Sequence, residues 1–317
     1  MFDTPMILSG PLRAPRQMLQ HQEYDGHASL HDDQMAQGLG FKGAPIEGPT
    51  HFSQFDPLLE RLWGRAWFER GCISAHYLNM VVEGEQVRAF VEVPAPGSSR
   101  TRVWAEKADG TPVLEASASI GPEHGLTLLE DRMSRLKPPG PLVILRDLKV
   151  GQTGLRDELV RMGADQHMGA LYPFSLADKL ACITEPSPWY NSPQASPWGR
   201  PIIPFEMVSV LVNSSSRQAG FHVKGPAIGL FADLQVRMVD GPLFVDEPYL
   251  VRREILALSE SRRTESCWVL SRVFDASGQQ LKAEMLLNSA TLKDSYAPYA
   301  QELAALSATG PSGPAPV

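Results

Sequence analysis

Among the side chains able to move protons in a short stretch near the start of the chain, five stand out: Asp25, His31, Asp33, Glu47 and His51. An imidazole and a carboxylate that share one water form a general acid–base pair, since one takes the water's proton while the other holds or delivers a second. Plainer readings stand beside this one. Asp25 and His31 can be solvated loop residues, Glu47 a dipole partner or cap ahead of a helix, and His51 a solvated or internally satisfied histidine. Gly48 follows Glu47 and opens an apolar-periodic segment whose first amides, lacking intrahelical acceptors, favour developing negative charge; Pro49 contributes no N–H. His27 and His76 are weaker candidates, the latter inside an expected strand.

Other chemistries find less support. Cys72, Cys182 and Cys267 form no close pair and are odd in number, which argues against a disulfide framework and a zinc site; buried thiols are expected. Gly38, Gly40 and Gly43 have the spacing of a dinucleotide fingerprint but follow a polar loop rather than a strand. Neither a metal nor a cofactor is expected. Arg252, Arg253, Arg262 and Arg263 could meet an anionic ligand or form a solvated strand face.

The bulk properties narrow the class. With 317 residues, 43% hydrophobic and 21% charged, the chain is long enough for roughly two globular domains. A formal charge of −7 with interspersed signs offers no basic stripe for nucleic acid. The longest apolar runs, such as Leu142–Leu145 and Met207–Val212, stay far below the roughly 18–20 residues that cross a bilayer, so no membrane partner is expected. The N-terminus lacks a basic region ahead of its short apolar stretch, which reads as cytoplasmic.

The elements that must position these residues follow from periodicity. From Gly48 to Trp63, residues Phe52, Phe55, Leu58, Leu59 and Leu62 recur at three- and four-residue steps, one apolar face of a helix that Pro57 can kink. Ile73–Val82, Glu85–Pro94, Arg100–Lys107 and Pro112–Gly121 then read as antiparallel strands separated by Gly84, Gly97 and Asp109-Gly110. The second half repeats the order: a Pro/Gly-rich loop from Glu185 to Pro204, an apolar stretch Phe205–Val212, then strands near Phe231–Met238, Tyr249–Leu258, Thr264–Phe274 and Leu281–Ala290. The offset of about 160 residues fits a duplicated domain. The Pro-rich stretch Lys137–Pro141 marks the boundary, and Leu148–Met168 looks irregularly helical. The predicted organisation is an N-terminal unit over 1–137, a connecting segment over 138–180, a C-terminal unit over 181–300 and a disordered tail over 301–317. A helix followed by a long antiparallel sheet, made twice, buries its apolar surface most simply as an α+β double hot-dog, with two antiparallel sheets each wrapping a central helix.

One stretch carries a family resemblance: His31, Asp33, Ala36, Gly40-Phe41, Gly43 and Ile46-Glu47-Gly48, with Leu78–Val82 and Asp109-Gly110-Thr111-Pro112-Val113 downstream, resembles the MaoC-like dehydratases and (R)-specific enoyl-CoA hydratases. It covers most of residues 20–122 and, more faintly, 180–292. The resemblance implies hydration or dehydration of an acyl thioester carried by coenzyme A or an acyl carrier protein, with His31 as catalytic imidazole, Asp33 as the acid that follows it and the Gly48 amide at the thioester carbonyl. Thr50 and His51 join Asp33 and Gly48 as implied substrate contacts, and a homodimer is expected. Two departures stand out. The family's catalytic aspartate lies five residues before the histidine, where this chain has Gly26, so Asp25 could supply it only through a one-residue slip. Glu47 stands where the family usually has histidine; other hot-dog enzymes, the acyl-CoA thioesterases, place a catalytic acid near this helix, so Glu47 with His51 could serve hydrolysis. The second half has no paired His/Asp spacing, and its Trp189, Tyr190 and Trp198 read as loop packing or as the lining of an acyl pocket. A non-catalytic protein that keeps the pocket is the third reading.

Overall fold

The computed structural model describes residues 5–24 and 27–308, so Asp25 lies outside the described residues. The strands are β1 (Ile7–Ser9), β2 (Glu23–Tyr24), β3 (His27–Ala28), β4 (Gly71–Tyr77), β5 (Val87–Glu92), β6 (Arg100–Lys107), β7 (Pro112–Ile120), β8 (Glu158–Arg161), β9 (Gly229–Met238), β10 (Pro248–Glu260), β11 (Thr264–Asp275) and β12 (Leu281–Leu292). The helices are α1 (Asp33–Gly38), α2 (Asp56–Trp63), α3 (Ala66–Arg70), α4 (Leu128–Ser134), α5 (Leu176–Cys182), α6 (Phe205–Asn213) and α7 (Tyr299–Ala308). Among the described residues no helix is long and apolar enough to cross a membrane.

The two sheets expected from the sequence are one. Ten strands run in the order β1-β5-β6-β7-β4-β9-β12-β11-β10-β8, and every neighbouring pair is antiparallel. The halves join through β4 and β9, with Ile73 opposite Val236 and Ala75 opposite Leu234. Left apart, each of these strands would present a row of unpaired backbone groups; pairing them satisfies both. At the seam the His76 ring nitrogen Nδ1 lies 2.7 Å from an oxygen of the fully buried Asp233, which also accepts from Asn288. Turns at matching places close the hairpins β6–β7 and β11–β12, and Gly110 and Gly278 both take positive φ there.

The core is shared as well. Phe55, Leu59 and Trp67 from the first half pack in one cluster with Phe205, Val208 and Leu211 from the second. The rings of Trp67 and Phe205 stack with centroids 4.5 Å apart. Trp189 and Trp198 set their edges against Phe68, and the Tyr190 hydroxyl donates to Asp56, so the Pro-rich loop of the second half is pinned to the first.

Three local expectations are corrected. The helix read over Gly48–Trp63 is a 3-10 turn, Gly48–Gln54, followed by α2. Pro57 has no N–H to offer the carbonyl of Ser53, so the α-helical ladder cannot run through that point, and the turn before it tightens. The connecting stretch is not helical around residue 160: Glu158 and Val160 are buried while Leu159 and Arg161 are exposed, the alternation of a strand, and β8 pairs with β10. Arg253 grips the buried Glu158 through Nε and Nη2, which anchors that edge. The segment expected to be disordered from 301 begins with α7, because Tyr299, Leu303 and Leu306 form an apolar face against Val143–Leu145, and the Tyr299 hydroxyl donates to Glu265 at 2.9 Å.

Candidate functional site

Strand pairing and three hydrogen bonds hold the loop ahead of the 3-10 turn. The Ile46 amide donates to the Val81 carbonyl at 2.6 Å, beyond the end of β4. The Ala44 amide donates to Asp33 at 2.8 Å, which makes Asp33 a staple of the loop; it is exposed and does not line the cavity that His31 and Glu47 share. His31 Nδ1 lies 2.8 Å from the Pro45 carbonyl, which can only accept, so this nitrogen carries the ring proton. Burial lowers the His31 pKa, and the bond to Pro45 only partly offsets that. The imidazole is therefore neutral at physiological pH, with Nε2 left as its basic nitrogen.

The turn that follows delivers Glu47 and Gly48. Glu47 is buried, caps nothing with its side chain, and its Oε1 has no hydrogen-bond partner. Burial raises its pKa to about 7; Lys179 opposes the rise and Glu206 adds to it. Gly48 lies against the ring of Tyr77: a Cβ placed there would sit 2.7 Å from the ring carbon Cζ, a distance that real contacts do not tolerate. Its amide is the first of the turn and has no acceptor within it. The Tyr77 hydroxyl is also buried and unpartnered, and burial, with Glu47 and Asp233 nearby, holds its pKa well above the usual value. His51, one turn on, is buried with Nδ1 unpartnered; burial first, then Lys179 and Lys107, lower its pKa to about 4, so it too is neutral.

These groups share one cavity. His31, Glu47, Gly48, His51 and Tyr77 line a space of about 950 Å³ that continues into the second half past Phe231, Cys267, Val269 and Leu287. The helix α6 is short, nine residues, and its end is held by Arg253, which donates to the Val212 carbonyl. Beyond it the sheet face formed by β9, β12 and β11 is left open to the cavity under the loop 220–227. Cys267 is buried and burial pushes its thiol up to about 12, which makes it an inert wall group.

Of the residues singled out in the sequence, the structure brings His31, Glu47, Gly48 and His51 to the same cavity. Thr50 faces elsewhere: its hydroxyl accepts from Lys179 Nζ at 3.0 Å, and it does not line the cavity. Of the arginine group, Arg252 pairs with Asp157 and Arg253 with Glu158. Sequence reasoning passed over Tyr77, Lys179 and Glu206. Tyr77 sat within a strand pattern, and only the absence of a side chain at Gly48 hints at a ring packed there. Lys179 and Glu206 carry no local signal, because their partners lie far along the chain.

No protein-family model matches the chain, and no curated protein matches it in sequence. Solved structures do resemble it. A protein described as a MaoC domain protein dehydratase from Chloroflexus aurantiacus J-10-fl superposes with a TM-score of 0.58 at 13% identity, over 92% of this chain and 95% of that one. A conserved hypothetical protein from Mycobacterium tuberculosis, described as having a double hot-dog fold, gives 0.55 at 11% identity, over 92% and 97%. At such identities the likeness is one of fold: the chain has the double hot-dog fold found among MaoC-like dehydratases, over nearly its whole length.

Proposed function

We propose that this protein hydrates or dehydrates an acyl thioester, with His31 and Glu47 as its acid–base pair. The observation that carries the reading is Glu47 itself, a buried carboxyl with an unpaired oxygen in the cavity that His31 and Gly48 also line. With a pKa near neutrality it can hold a proton or release one, the property a general acid or base needs.

In the hydration direction, water adds through oxygen to the β-carbon of an enoyl thioester. Neutral His31 takes the water's proton at Nε2, and protonated Glu47 delivers its own to the α-carbon. The proton on His31 then returns to Glu47 through solvent, which restores both groups. The Gly48 amide, with no acceptor in its own turn, donates to the thioester oxygen as negative charge gathers there, and the Tyr77 hydroxyl packed beside it adds a second donor. Asp25 is the carboxylate that the resemblance implied for this task; in this reading Glu47 takes it over.

The extension of the cavity into the second half supports a long acyl chain as the substrate's tail. Its volume of about 950 Å³ is at the upper end of the roughly 300–1,000 Å³ usual for small-molecule sites. The carrier is coenzyme A or an acyl carrier protein. A second reading, thioester hydrolysis by Glu47 with His51, draws on the burial of both groups in the same cavity with unpartnered atoms.

Crotonyl-CoA and longer enoyl-CoAs, followed by loss of enoyl absorbance with parallel titration of free thiol, test these assignments. Hydration that is lost in Glu47→Gln and retained in Asp25→Asn supports the pair named here. Loss in Asp25→Asn alone returns the role to Asp25, thiol release assigns the site to hydrolysis, and neither reaction with either substrate sinks the enzymatic reading.

A further inference from the structure

The amine of Lys179 is buried between the two halves. It arrives on α5, a helix whose first turn is fixed by a capping box between Ser175 and Asp178. Its Nζ lies 2.9 Å from Glu206 Oε1 on α6 and 3.0 Å from the Thr50 hydroxyl on the 3-10 turn, and both charged side chains are almost wholly enclosed. Glu206 in turn accepts from the Ser53 hydroxyl of the same turn. The Thr50 amide donates to the Glu47 carbonyl at 3.1 Å. An ion pair contributed by α5 and α6 therefore grips the turn that presents Glu47 and Gly48 at two hydroxyls, Thr50 and Ser53.

An enclosed ammonium is costly unless its surroundings supply compensating charge. One carboxylate on Glu206 balances it formally, and a second carboxyl, Glu47, stands within its field. Burial works against the charged form of Lys179, yet Glu206 and then Glu47 outweigh it and keep the amine protonated. The same ammonium lowers Glu47 against its burial and helps keep His51 neutral. A simple structural staple between helices needs only the Lys179–Glu206 pair and the two hydroxyls. It does not need a third ionisable group that titrates near neutrality and faces a cavity.

We propose that Lys179 is a positioning residue for the candidate site, its ammonium, paired with Glu206, holding the Glu47–Gly48 turn in place through Thr50 and Ser53 and standing as the counter-charge to the Glu47 carboxyl. The inference rests on Glu47 acting as the acid. The ionisable groups around Glu47 are Lys179 on α5, Glu206 on α6, Tyr77 on β4, His51 on its own turn and His31, which lines the same cavity; Lys107 on β6 acts on His51. Of these, Lys179 is the one that favours the carboxylate.

The test is the pH profile of kcat/KM for enoyl-CoA hydration in wild type, Lys179→Arg, Lys179→Met and Lys179→Met/Glu206→Gln. Wild type should lose activity above about pH 7, as Glu47 gives up its proton. Lys179→Met should move that limb upward by about one pH unit, the effect of removing a nearby opposite charge. Lys179→Arg should leave it in place, and the double variant should fall between, because it loses the opposing influence of Glu206 as well. A lesion that only loosened the fold would lower the rate without moving the limb, and superimposable profiles in all four proteins would overturn the proposal. The double variant leaves no unpaired buried charge and carries the test if Lys179→Met alone does not fold. Carbon-13 NMR titration of the glutamate carboxyls, with Glu47 assigned through Glu47→Gln, reads the same displacement without substrate. A protein inert toward enoyl-CoA whose Glu47 resonance still follows Lys179 would sink the proposed reaction and leave only the charge coupling between Lys179 and Glu47.

Discussion

Replacing Glu47 by glutamine keeps the size and shape of the side chain and removes only its titration, so its effect on stability should depend on pH in a defined way. The carboxyl has an ordinary value of 4.5 and is raised by burial to about 7 in the folded chain. The folded state therefore binds this proton more tightly than the unfolded one. Its contribution is fully present below about pH 4.5 and is lost as the pH climbs through about 7. The interval of about 2.5 pH units, at about 1.4 kcal/mol for each, amounts to about 3 kcal/mol. His51 works in the opposite sense: lowered from 6.5 to about 4, it costs stability as the pH falls from 6.5, because the unfolded chain then gains a proton that the folded one refuses. The contributions of these two groups should thus nearly cancel between about pH 4.5 and 6.5. Urea unfolding from pH 4 to 8.5 isolates Glu47 in the difference between the two proteins. The variant should match wild type at the acid end and exceed it by about 3 kcal/mol above neutrality. A difference independent of pH would refute the reasoning and place Glu47 in contact with water or an unseen partner.

Further expectations concern the cavity. His31→Ala should lower hydration by about 100- to 10,000-fold while changing unfolding free energy by about 1 kcal/mol; unaltered turnover would remove His31 from the site. Gly48→Ala drives a methyl into the Tyr77 ring and should cost about 1–3 kcal/mol in calorimetry along with most of the activity, whereas an unchanged Tm would mean that the ring yields freely. Val269→Trp, in the part of the cavity lined by the second half, should cut kcat/KM for long-chain enoyl-CoAs by about tenfold or more and spare crotonyl-CoA. An equal loss for both would place the acyl tail elsewhere.

Much of this molecule was legible from its sequence alone, because strand alternation and helical periodicity are local. The hairpin β6–β7, the long strands β9 to β12 and the apolar helix α6 fall where β-branched and aromatic residues, turn glycines and prolines require them. His31 and Gly48 stand out as candidates through their resemblance to a family's motif, and both line the cavity. What stayed hidden depends on contacts between distant segments. That two sheets become one is decided by the pairing of β4 with β9, about 160 residues apart, and backbone hydrogen bonding leaves no trace in side-chain patterns. The edge strand β8 was obscured because its one buried acid looks polar until Arg253 is beside it. Glu47 shows the same limit: its place ahead of the helix marks it as a candidate catalytic acid, a dipole partner or a cap without deciding among them. Only tertiary burial, with Lys179 and Glu206 brought in by α5 and α6, turns it into a carboxyl that titrates near neutrality, because the energy of a charge depends on what surrounds it in space and not on its neighbours along the chain.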